Sequence, residues 1–170
     1  MSDATKPPSH DLAQIFDQHM AAEFGTKSAE QALQTMTERP HILNAPTLAG
    51  GTGREEILAF YAHKFIPQMP ADLQVTPLSR TVGTQTLVDE MLLTFTHSIS
   101  MDWLLPGVKP TGRKVDMAMV VVAGFKDGKV DYEHVYWDQA SVLVQVGLLD
   151  ASRVPAFGAE IAQRLRATIS

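Results

Sequence analysis

Apolar positions keep helical spacing in the first third of the chain and alternate in the second. Leu12, Ile15, Phe16, His19 and Met20 form one stripe, and Ser9 before them is a good N-cap. Gly25 stops that helix. Ser28 with Gln31 reads as a capping box for a short helix, Ala29–Met36. The proline-bounded PHILNAP follows as a short extended piece, then a turn at Ala49–Gly53. Thr52 and Glu55 read as a second capping box, opening a helix through Phe65 with Ile57, Leu58, Tyr61 and Phe65 on one face. Pro67 ends it.

From Leu73 the period changes. Leu73–Val82 and Gln85–Ser100 read as long strands joined near Gly83-Thr84, and a proline- and glycine-rich loop spans Trp103–Gly112. Lys114–Phe125 and Lys129–Trp137 are strands joined by the Asp127-Gly128 hairpin turn. Asp138 is placed to cap a helix, Gln139–Val146, ended by Gly147. A last amphipathic helix over Pro155–Thr168 carries Val154, Phe157, Ile161 and Leu165 on one stripe. Helices followed by long antiparallel strands predict an α+β fold, with one curved sheet covering the helices and enclosing a space. Residues 1–8 read as a loose tail, 9–149 as the domain and 150–170 as a C-terminal helical extension.

Composition narrows the functions. At 170 residues with 45% apolar positions, the chain can bury a full core as one domain. A net charge of −5 argues against nucleic-acid binding. The lack of cysteine excludes disulfides, thiolate metal sites and a cysteine nucleophile. The six histidines show no metal-ligand spacing, so neither a metal nor another cofactor is expected. No apolar run reaches the length of a membrane helix, and the polar start MSDATKPPSHD lacks a signal peptide's apolar core; a cytoplasmic protein is the expectation.

Strand alternation sorts the candidate chemistry. His97 shares a face with Phe95, Leu93 and Met91. Asp116 shares one with Ala118, Val120 and Val122, an unusual setting for an acid unless it is paired or functional. Tyr132, His134 and Tyr136 face one way, with Asp138 just beyond; Glu133, Val135 and Trp137 face the other. Each candidate also has a structural reading: Asp116 solvated or paired with Arg113, His97 a satisfied core histidine, Tyr132 and His134 the lining of an inert crevice or a dimer interface, Asp138 a helix cap.

Four strings in order carry a family resemblance: Thr96-His97; Pro110-Thr111-Gly112-Arg113-Lys114-Val115; Asp127-Gly128-Lys129-Val130; and Trp137-Asp138 with Gln145-Val146-Gly147-Leu148. Residues 10–149 resemble the SnoaL-like polyketide cyclases of the nuclear-transport-factor-2-like (cystatin-like cone) superfamily. The longer link Met101–Pro106 and the tail after Leu149 depart from that pattern. The resemblance implies a cone, with N-terminal helices packed in a strongly curved antiparallel sheet, and a homodimer. It implies Asp116 as general acid/base, assisted by His97, with no cofactor. The substrate would be a hydrophobic carbonyl-bearing small molecule, cyclised, isomerised or dehydrated. His134, Tyr132, Tyr136, Trp103, His41 and Asp138 are the expected substrate-binding residues. The alternative is a non-catalytic binding or scaffold protein with the same pocket. An epoxide-hydrolase-like set drawn from Arg80, Asp89, Asp102 and Arg113 is a third reading that no spacing pins.

Overall fold

The computed structural model describes residues 11–168. Helix α1 spans Leu12–Met20. Ser9 lies outside the described residues, and the observed cap is Asp11, whose carboxylate accepts the Gln14 N–H. The helix runs on into a wider turn, Ala21–Gly25, closed by Thr26 N–H donating to the Ala21 carbonyl. Ser28 caps α2, Ala29–Gln34, by accepting the Gln31 N–H, but the box does not close: the Ser28 N–H donates to the Ala22 carbonyl and the Gln31 side chain accepts from Thr26. Helix α3, Arg54–Phe60, begins after Gly53 rather than Thr52. The expected box is shifted by one position, and Glu56 accepts the Thr52 N–H at 2.8 Å. A second wide turn, Tyr61–Phe65, extends α3.

Six strands form, the last four close to the bounds that alternation predicts: β1 Met36–Asn44, β2 Ala49–Thr52, β3 Gln74–Val82, β4 Thr86–Thr96, β5 Lys114–Lys126 and β6 Lys129–Trp137. They form one curled, unclosed sheet in the order β2-β1-β6-β5-β4-β3. All neighbours are antiparallel except β1 and β6, which pair in parallel. The PHILNAP piece lies within β1–β2, and the expected turn at 49–53 is largely strand β2. Two glycines permit this: a Cβ on Gly50 would strike the Ile42 carbonyl, and one on Gly51 would press against Glu56.

The concave face buries Leu87, Met91, Leu93 and Phe95 of β4 and Val115, Met117, Met119 and Val121 of β5 over Phe16, Ile57, Phe60 and Tyr61. Helix α4, Gln139–Gln145, follows β6 behind its Asp138 cap. Helix α5, Glu160–Thr168, is shorter than the stripe predicts and lies against β5. Pro155 and Gly158 precede it, and Val154 and Phe157 remain exposed. On the convex face Tyr132 lies flat over Gly124, where any Cβ would meet its ring. Gly124→Ala is therefore expected to displace Tyr132 and cost about 1–3 kcal/mol in urea unfolding, as overpacking does.

Candidate functional site

The cone encloses a cavity of about 40 Å³, room for a few water-sized groups. Its walls are mostly apolar: Met20, Phe24, Phe60, Phe65, Met91, Trp103, Met119 and Val135 among them. Set into these walls are Glu23, Tyr61 and Glu133, and His19 behind them completes a buried polar cluster. The histidine is fully buried, and Glu23 and Glu133 are 4% and 5% exposed.

Each member is placed by a local feature. Inward alternation on β6 selects Glu133 with Val135 and Trp137. His19 sits in the last turn of α1. Glu23 and Tyr61 both sit in the wide turns that extend α1 and α3. Such turns are rare within helices and frequent at functional sites.

The hydrogen bonds fix the histidine's orientation. Thr35 donates its hydroxyl proton to the Ala32 carbonyl at 2.6 Å, so it can only accept from His19 Nδ1, also at 2.6 Å. Nδ1 therefore carries a proton and Nε2 faces the cluster. Nε2 stands 2.8 Å from Glu133 Oε1, 3.1 Å from Glu23 Oε1 and 3.1 Å from the Tyr61 hydroxyl. One ring N–H cannot serve three oxygens. Glu133 Oε1 is close enough for ion pairing, yet it makes no hydrogen bond.

The charges shift one another. Burial alone would strip His19 of its second proton, but Glu133 and Glu23 together outweigh burial and carry its pKa to about 10. Burial pushes the Glu133 carboxyl above its usual range, against the opposing pull of His19. Burial, then Glu23 and Glu133, raises the Tyr61 phenol, which stays protonated and able to donate. The cluster thus pairs a protonated imidazole with a carboxyl of raised pKa. His19, Glu23 and Glu133 also bring three ligand-type atoms within 4.8 Å, the span of a single cation's shell.

The sequence-predicted residues fall elsewhere. Asp116 and His97 lie on opposite faces of the sheet. Asp116 pairs in register with Thr94 on the convex side, accepts its hydroxyl at 3.0 Å, and is bound by Arg166 of α5 at 2.9 Å. The alternation holds in β5, but its valine-rich face is the outer one, covered there by α5. His97 is buried beyond the end of β4. Its Nδ1 accepts the Thr111 N–H, which leaves the proton on Nε2, where no protein group accepts it. Burial lowers its pKa.

His41, Tyr132, His134 and Tyr136 also line the convex face, because Ile42 and Asn44 of β1 and Glu133 and Val135 of β6 take the inner one. Asp138 is exposed and caps α4, accepting the Ser141 N–H at 3.1 Å. Trp103 does line the cavity, and its Nε1 has no protein acceptor. Arg80 binds Asp89 and Asp17, whereas Asp102 binds Gln68 and the Gly107 N–H, so no epoxide-hydrolase-like set is assembled.

No protein-family model matches the chain, and no curated protein is detectably similar. Solved structures are. A proposed SnoaL-like polyketide cyclase from Jannaschia superposes with a TM-score of 0.65 at 20% identity, over 85% of this chain and 98% of that one. The chain has the nuclear-transport-factor-2-like cone fold. IdmH, a proposed polyketide cyclase from Streptomyces antibioticus, gives 0.62 at 20% identity over 81% and 99%. A ketosteroid isomerase-like protein from Catenulispora acidiphila, solved with trimethylamine, gives 0.62 at 18% over 80% and 94%. The cone is thus the one the sequence strings resembled. No helix among the described residues is long and apolar enough to cross a membrane.

Proposed function

We propose that the chain is an acid/base catalyst of the isomerase or cyclase type, working on a compact carbonyl compound inside the cone. The observation that carries this is Glu133 Oε1: a buried carboxylate oxygen on the cavity wall, without a hydrogen bond, whose proton affinity burial raises. Such a group suits proton transfer near neutral pH. Glu133 takes a proton from the carbon beside the substrate carbonyl. The developing enolate oxygen is met by Tyr61 O–H, with protonated His19 behind it as the cluster's cation. Glu133 then returns the proton at a second carbon, which completes an isomerisation, or the enolate carbon attacks a second carbonyl of the same molecule and Glu133 gives its proton to the alkoxide formed, which closes a ring.

The small cavity supports a compact substrate. The trimethylamine bound to the Catenulispora protein is also compact. Longer substrates require Met20, Met91 and Met119 to shift, which their unbranched side chains allow. The half-buried convex face, with Val120, Val122 and Tyr136, supports a homodimer through the sheets.

The reading is tested with 3-cyclohexen-1-one, whose conversion to the conjugated ketone is followed by ultraviolet absorbance. The protein should accelerate it over buffer, and should keep that rate after exhaustive treatment with a chelator. No acceleration of this or any enolisable ketone of similar size would favour the binding or scaffold reading, to which the tight methionine-lined cavity also lends support. Rate lost with the chelator and restored by a divalent cation would instead make His19, Glu23 and Glu133 metal ligands.

A further inference from the structure

The convex face holds a second convergent group of side chains, remote from the cavity. His41 on β1 and His134 on β6 point the same way from neighbouring parallel strands, where His41 registers with Tyr132 and Leu43 with His134. Their Nε2 atoms stand 2.9 Å apart. The Tyr132 ring stacks on both, at 5.3 Å and 15° to His41 and at 4.7 Å and 28° to His134. Tyr132 is itself seated on Gly124. Both imidazoles are half-buried, so one side of the pair is open.

We propose that His41 and His134 form a binding site for a divalent transition-metal ion of the nickel or copper type. Two imidazole nitrogens at metal–nitrogen lengths of about 2.0–2.1 Å lie about 2.9 Å apart when the angle at the metal is a right angle, and about 3.4 Å apart in a tetrahedron. The observed spacing is therefore that of neighbouring ligands in a tetragonal or octahedral shell, the geometry preferred by Cu²⁺ and Ni²⁺ rather than by Zn²⁺. Without metal, the pair holds a single proton between two nitrogens, and an ion replaces it. Little rearrangement is needed, because the stacked tyrosine already holds both rings. Water, or the same pair from a second copy across the convex face, completes the shell.

Calorimetric titration of the whole chain with NiCl2 and with CuCl2, in a non-coordinating buffer, tests the assignment. Binding is expected with Cu²⁺ tighter than Ni²⁺ and Ni²⁺ tighter than Zn²⁺, at one ion per chain or one per two chains. The second ratio would mark a shell shared between copies. His41→Gln and His134→Gln should each weaken Ni²⁺ binding about tenfold or more, since losing a ligand costs at least as much as losing an outer-shell partner. The exposed His63, replaced by glutamine, should leave it unchanged. Metal-free melting curves of the two variants, superimposable on that of the parent chain, show that folding is intact. The visible absorption band of bound Cu²⁺ gives a second readout. No binding of Ni²⁺ or Cu²⁺, Zn²⁺ bound tightest of the three, or affinity retained in both variants, overturns the proposal. Failure here leaves the cavity reading untouched, because Glu133 and His19 lie on the other face of the sheet.

Discussion

Glu133→Gln is expected to slow ketone isomerisation by roughly 10²- to 10⁴-fold, the range a positioned acid/base group supplies. The amide keeps the shape of the side chain and cannot carry the proton. The protein should remain folded, because glutamine fills the same space and removes the cost of burying that carboxylate. His19 loses its nearest anionic partner but keeps Glu23 at 3.1 Å and the bond to Thr35. The informative control is Asp116→Asn. Asp116 lies on the convex face in an ion pair with the half-exposed Arg166, a contact that solvent screens. It should leave the rate near that of the parent chain. A pattern in which Asp116→Asn abolishes turnover and Glu133→Gln does not would move the chemistry to the other face and sink the assignment.

The contrast between these two acids shows where the sequence stopped being informative. Period-two alternation locates both strands and separates their faces: Glu133 falls with Val135 and Trp137, and Asp116 with three small apolar residues. What alternation does not carry is which face is concave. That depends on the curl of the sheet and on where the helices pack. The valine-rich row around Asp116 has the composition of a core face because α5 and, in the proposed dimer, a second copy cover it.

His19 and Tyr61 were legible as helix positions but were absorbed into apolar stripes. Only their meeting across 42 residues of sequence gives them chemistry. One signal was available: His19 and Glu23 are four residues apart, the spacing that puts two side chains on one helical face. The wide turns at Ala21–Gly25 and Tyr61–Phe65 leave no mark in a propensity reading, yet they aim two of the four cluster residues. The parallel pairing of β1 with β6 was hidden for a similar reason, since a short proline-bounded strand does not declare its direction.

His19→Ala is expected to cost about 3–5 kcal/mol of folding stability in urea unfolding at neutral pH, because it leaves two buried carboxylates without their cation. A cavity penalty adds to this. Neutralising the partners as well, in His19→Gln with Glu23→Gln and Glu133→Gln, should recover much of the loss, since no uncompensated charge remains. If the single and triple variants were equally unstable, lost packing rather than charge would be the cause.

The same cluster sets the pH dependence. The His19 pKa rises from 6.5 in the unfolded chain to about 10 in the folded one. Its contribution is therefore fully present below pH 6.5 and is lost as the pH rises through about 10. Glu133 acts in the same direction, because its carboxyl is raised above 4.5 on folding and so favours the folded state less once the unfolded chain ionises. Stability should fall between pH 6.5 and 10 with a slope approaching about 1.4 kcal/mol per pH unit for each extra proton the folded state holds. The triple variant should show a nearly flat profile over that window. A parent chain equally stable at pH 7 and pH 9.5 would mean that His19 is neutral in the fold, and that Tyr61 has no cation behind it to steady the enolate oxygen.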